Sequence, residues 1–204
     1  MPVNGGWGGY TASGRAWRWE IPPNLLARAH INLLEFLASV VCIKLDAAEG
    51  RIRPESCLLA MGDSTTATGW LRKSNFQPEG EDDHINTAKL KVARELASLV
   101  IGYESMLYTQ WFPGEDNVVS DSLSRDLHIS PSNLTSLLIS KTPEQLPPNF
   151  KIAPLPSEIT SWLYSTLVKL PAQTQQLPRH KTSGLDAGVV GPPSSNKLAS
   201  KPIP

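Results

Sequence analysis

The sequence predicts an α/β fold followed by a Pro-rich C-terminal extension, and three observations carry that reading. Short alternating or continuous apolar runs at 17–21, 56–61 and 105–112 have the form of strands. Between them, longer segments repeat apolar residues at helical spacing. Twelve of the 18 prolines fall after Asp126, which ends the regular part near 126–130.

Trp17, Trp19 and Ile21 alternate with Arg18 and Glu20, the period of a half-buried strand, and Gly6-Trp7-Gly8-Gly9-Tyr10 reads as its hairpin partner. Pro22-Pro23 ends the pair. From Ile31 to about Ala48 apolar residues surround the segment almost completely, which at this length predicts a helix buried against a sheet, with Glu35 inside it. Ser56 to Met61 reads as a central strand covered on both faces, and Gly62-Asp63-Ser64-Thr65 as a turn with cap residues opening a helix to about Lys73. Ser74 to His84 reads as an exposed loop, and Leu90, Ala93, Leu96, Ala97 and Val100 as one helix face. Ser105 to Phe112 fits a strand, after which Pro113-Gly114 and a cap at Asp116 or Asn117 open a helix carrying Asp121. The expected organisation is a folded domain over 1–126, a connector with one or two short helices over 127–170, and a disordered tail over 171–204. In the connector, Ile159, Leu163 and Leu167 share a helix face; the tail has too few large apolar residues to offset the entropy of ordering.

With 19 basic and 19 acidic residues the chain carries no net charge, which excludes strong nonspecific attraction to nucleic acid by the whole surface while leaving local patches. Cys42 and Cys57 lack metal-type spacing and read as two buried thiols in a reducing, intracellular compartment. No run reaches membrane-spanning length, so no membrane partner is expected. His30, His84, His128 and His180 sit in loops, in the tail or just ahead of a helix, which gives little support to a histidine-based hydrolase or zinc site.

Three acids stand out instead. Glu35 lies within Leu33-Leu34-Glu35-Phe36-Leu37, Asp63 ends the run Cys57-Leu58-Leu59-Ala60-Met61, and Asp121 follows a Pro-Gly turn. A carboxylate among large apolar residues needs a cation or hydrogen-bond donors, and acids from different elements suit a hard divalent ion. Asp63 also stands just past the carboxyl end of a strand, where open α/β sheets place ligands. Each acid has a plainer explanation: Glu35 snorkelling to solvent, Asp63 capping the next helix, Asp121 pairing with Arg125 one turn on.

His30-Ile31-Asn32-Leu33-Leu34-Glu35, Gly62-Asp63-Ser64-Thr65-Thr66-Ala67, Ala93-Arg94-Glu95-Leu96 and the stretch Pro113 to Arg125, in that order, resemble motifs of the ribonuclease H domain of retrotransposon reverse transcriptases of DIRS and gypsy type. The resemblance covers residues 5–126 and is most specific in its last motif. It implies a mixed five-stranded sheet flanked by helices and two-ion cleavage of the RNA strand of an RNA–DNA hybrid with Mg²⁺ or Mn²⁺. In that scheme Asp63 bridges both ions, Glu35 serves the leaving-group ion and Asp121 the water-activating one. Recognition would rest on backbone shape and 2′-hydroxyls, with Arg72 and Lys73 as phosphate contacts. Reverse transcriptase and recombinase or integrase parts of a polyprotein are the implied partners, and Asn149 to Leu170 resembles the connector that follows this domain there. The family's first strand opens Asp-Ala-Ser shortly before Gly-Trp-Gly; aligned on Gly6-Trp7-Gly8, that Asp falls on Met1. The chain therefore reads as an N-terminally truncated member with impaired hydrolysis. The competing reading is a non-catalytic remnant that serves as a structural or nucleic-acid-binding module.

Overall fold

In the hairpin β1 (Gly6–Tyr10) and β2 (Arg15–Glu20), neighbouring residues face opposite sides of the ribbon, and both sides are covered. Trp17 is fully buried on one side and Ala16 on the other. A computed structural model describes residues 5–28, 30–72 and 83–172. All of them belong to one compact unit. After the hairpin come α1 (Pro23–Leu26), α2 (Ile31–Ala48), β3 (Cys57–Gly62), α3 (Thr65–Arg72), α4 (Asp83–Gly102), β4 (Met106–Trp111) and α5 (Val118–Arg125). The connector contributes α6 (Pro131–Lys141), β5 (Lys151–Ile152) and α7 (Ser157–Leu167).

The main core forms where α2 meets the sheets. Leu33, Leu34, Phe36, Leu37, Val40, Val41 and Leu45 are buried around the helix, as expected of a segment apolar on nearly every side. Trp7 and Trp17 meet edge to face at 4.8 Å on this side of the hairpin, and Leu58, Ala60 and Leu107 come from the other strands. A Trp17 indole N–H donates to Cys42 Sγ at 3.4 Å and the thiol donates to the Tyr10 carbonyl; burial pushes the Cys42 thiol up to about 12, which makes it inert as a nucleophile. A second core on the opposite face joins Ala16, Val119, Leu123, Leu134, Leu138 and Ile152, so the connector packs into the fold. Among the described residues, no helix is long and apolar enough to cross a membrane.

The described strands form two sheets, β1-β2-β5 and β3-β4, in place of a single five-stranded sheet. The reason lies at the outer edges of β1 and β3. Ile21 N–H donates to Gly5 and Thr11 N–H to Arg15, so by antiparallel alternation Gly6 and Gly8 turn their main-chain groups away from β2. In the parallel pair, Met106 N–H donates to Ser56 and Phe112 N–H to Gly62, which leaves Cys57, Leu59 and Met61 facing the outer edge of β3. No strand among the described residues pairs with either edge, although both β1 and β3 pack on α2.

Two further expectations are corrected. β3 is not covered on both faces, because α2 and its neighbours lie on one side only; Leu59 and Met61 on the other side are more than half exposed. Cys57, which shares that outward side, is exposed for the same reason. Of the predicted loop Ser74 to His84, residues 74–82 lie outside the described residues, as do Lys73 and the tail from 173 onward, while Asp83 and His84 belong to the first turn of α4 and not to a loop.

α5, which carries Asp121, rides on the glycine face of β1. A Cβ added at Gly6 would lie 1.9 Å from the Ser124 carbonyl, and one at Gly8 2.7 Å from Leu123 Cβ. Only glycine admits so close a helix. Arg18 reaches from β2 to hold the end of α5, donating to the carbonyls of Asp126 at 3.1 Å and Ile129 at 2.6 Å. Gly6→Ala is expected to destabilise the protein by at least about 2 kcal/mol, since the overlap is with backbone and cannot be relieved by a rotamer change. A urea midpoint equal to that of the native chain would show that α5 does not sit where the structure puts it.

Candidate functional site

The carboxyl end of β3 delivers Asp63 to a point where three elements meet. Gly62 ends the strand, and Ser64 caps α3: its hydroxyl accepts the Ala67 N–H at 3.1 Å. Asp63 is thus not the cap, and its side chain is left available. Trp111, at the end of the parallel neighbour β4, donates its indole N–H to the Asp63 carbonyl at 2.9 Å. This pins the turn while leaving the ring about half exposed.

Glu35 approaches from the second turn of α2. It lies near the Ser64 hydroxyl and within electrostatic reach of Asp63. Burial pushes its carboxyl above the usual 4.5, the nearby Asp63 charge adds to the rise, and the Ser64 hydroxyl opposes it. Two of the three expected acids are therefore neighbours, and one of them is costly to ionise.

On the third side, Pro113-Gly114 turns the chain from β4 into α5. Gly114 lies against Asp63, since a Cβ added there would be 3.4 Å from Asp63 Oδ2. Gly114 also lines an open cavity of about 330 Å³ on the first turns of α5, together with Glu115, Asp121, Ser122 and Arg125. Asp121 is half-buried in that cavity and pairs with Arg125 one turn later, Oδ2 to Nη2 at 2.9 Å. The geometry brings Glu35 near Asp63, and Gly114 lies both against Asp63 and in the cavity that Asp121 lines, whereas Asp121 itself pairs with Arg125 and not with the other two acids. As they stand, no three His, Cys, Asp or Glu side chains among the described residues form a metal-holding group.

Arg72 is exposed in the last turn of α3, and Lys73 is outside the described residues. Ser64, Gly114 and Trp111 are the parts of the site that sequence reasoning missed. Ser64 carried a cap signal and Gly114 a turn signal, but nothing in the sequence shows their approach to Glu35 and Asp63. A second open cavity, of about 350 Å³, lies beyond the far end of α2, where Glu49 pairs with Arg15 and Arg51. Those pairs tie the β1–β2 turn to the helix end, far from the acids.

The raised Glu35 carboxyl has a consequence for stability. A folded state that holds the proton more tightly than the unfolded chain loses stability as pH rises from about 4.5 through the folded-state value, and is flat above it. Glu35→Gln is therefore expected to raise the melting temperature at neutral pH in metal-free buffer and to leave it unchanged in acid below the ordinary carboxylate range. A variant less stable than the native chain at neutral pH would contradict this.

No family model, curated protein or solved structure matches the chain.

Proposed function

We propose that the chain is a ribonuclease H-like endonuclease domain of retroelement type. It hydrolyses the RNA strand of RNA–DNA hybrids, slowly, because Met1 stands where the resemblance places an Asp. The observation that carries this reading is the half-buried Glu35 beside Asp63 at the carboxyl end of β3, with Gly114 leading from Asp63 to Asp121.

The donor set fits hard divalent cations. Glu35 and Asp63 offer carboxylate oxygens, the ligands Mg²⁺ and Mn²⁺ take, and a cation between them offsets both the burial of Glu35 and its repulsion by Asp63. Asp121 joins them by leaving Arg125, a partner whose side chain is 68% exposed and which holds it weakly. When bound, a pair of such ions supplies an activated water and a counter-charge for the leaving oxygen. The chain's own residues position the scissile phosphate. Trp111 presents a flat ring beside Asp63 on which a sugar can rest, Arg72 at the end of α3 offers a phosphate contact, and Ser64 fixes the Glu35 carboxylate.

The non-catalytic reading is favoured by one observation, the Asp121–Arg125 pair, which occupies the third acid. The two are separated by a time course on a labelled RNA strand, paired with DNA or with RNA, in Mn²⁺. The catalytic reading expects slow loss of the hybrid alone. Equal loss of both substrates, or of neither even at high protein concentration, would count against it.

A further inference from the structure

The sheet β3-β4 has a core face and an uncovered face. Leu58, Ala60 and Leu107 point to the core, so Cys57, Leu59 and Met61 on β3 and Met106, Tyr108 and Gln110 on β4 point away from it. The register sets Cys57 beside Met106, Leu59 beside Tyr108 and Met61 beside Gln110. Leu59, Met61, Met106 and Tyr108 are each 53–58% exposed. They form one continuous patch, unlike the scattered single apolar residues of an ordinary surface. No charged residue occupies any of the six outward positions.

We propose that this face is the centre of a two-fold interface between two copies of the chain, sheet against sheet. Area supports it. At roughly 150 Å² for a large side chain, slightly over half exposed, the four residues alone offer roughly 300 Å² of apolar surface per copy. A standard interface takes about 800 Å² per partner, of which about 450–500 Å² is apolar, so this patch supplies most of the requirement before its rim is counted. Symmetry supports it as well. A two-fold axis brings a surface against itself, so any charge near the axis meets its own like, and a face without charge is the kind that self-association admits. A charged partner finds nothing on it to pair with. A two-stranded sheet with helices on one side only among the described residues also lacks a second layer there, which a facing sheet provides. The interface is independent of the reading given to the acids.

The test uses the full 204-residue chain and two readouts. Sedimentation velocity over a dilution series is expected to show a reversible monomer–dimer equilibrium. Leu59→Glu, and separately Tyr108→Glu, are expected to weaken dimerisation by about a hundredfold, because each places like charges face to face. Should a glutamate variant fail to fold, Leu59→Ser reads the same face without charge and is expected to weaken the dimer by about tenfold. Alkylation reports on the location: Cys57 is exposed on this face whereas the Cys42 thiol is partly buried and held between Trp17 and the Tyr10 carbonyl, so Cys57 is expected to react at least about tenfold more slowly at dimer-forming concentrations than in dilute solution. A monomer throughout the series overturns the proposal, and so does a dimer that survives these substitutions or leaves Cys57 fully reactive.

Discussion

Extending the chain ahead of Gly5 by a strand ending in Asp-Ala-Ser, with that Asp at the position of Met1, is expected to raise hybrid cleavage by about a hundredfold or more. Two arguments converge on this. The first is chemical: a further bridging carboxylate contributes several kcal/mol of charge stabilisation at the scissile phosphate, and each 1.36 kcal/mol is about tenfold in rate. The second is structural. Gly6 and Gly8 on β1 and Cys57, Leu59 and Met61 on β3 turn outward main-chain groups that no strand among the described residues pairs with, from two strands that both pack on α2. An added strand satisfies those groups and joins the two sheets. The extended chain is therefore expected to melt at a higher temperature as well as to cleave faster. An extended chain that melts higher yet stays inert would leave the fold argument standing and remove the catalytic one.

Asp63→Asn in the extended chain is expected to lower the cleavage rate on the order of a thousandfold, with little change in melting temperature. Asp63 stands at the meeting of β3, α3 and the Pro113-Gly114 turn, with Glu35 and Gly114 as neighbours. Its carboxylate is not used as a helix cap, since Ser64 has that task. Removing its charge therefore takes away ligand chemistry without taking away a structural bond, and relieves repulsion on Glu35. A rate within about threefold of the parent would mean that Asp63 plays no part at the scissile phosphate.

Much of this arrangement was legible in the sequence. Glu35 and Asp63 each interrupt or end an apolar run, so the physics that buries the run also fixes the acid. Asp121 and Arg125 are spaced one helical turn apart, and their ion pair follows from that spacing. The helix over 31–48 was plain because apolar residues at this length leave no other economical burial. The division into two sheets was not legible, because a strand's periodicity says which face it buries and nothing about which edge stays unpaired. For the same reason the continuous run from Cys57 to Met61 read as covered on both faces, when one face is open. β5 has only two residues, Lys151 and Ile152, too few to show a period. The contact of Gly114 with Asp63 is a tertiary approach between segments some 50 residues apart, and no local pattern announces it.

Glu35, Asp63 and Asp121 are proposed to act as one cation-holding site. The most direct measurement is an amide NMR titration of the native chain with substoichiometric Mn²⁺, whose unpaired electrons broaden nearby signals. The amides of Glu35, Ser64, Gly114 and Asp121 are expected to broaden first and together, and Asp63→Asn to abolish the effect at all four. Broadening spread over other exposed acids such as Glu55 and Glu104, or confined to the α5 cavity while Glu35 and Ser64 stay sharp, would contradict it.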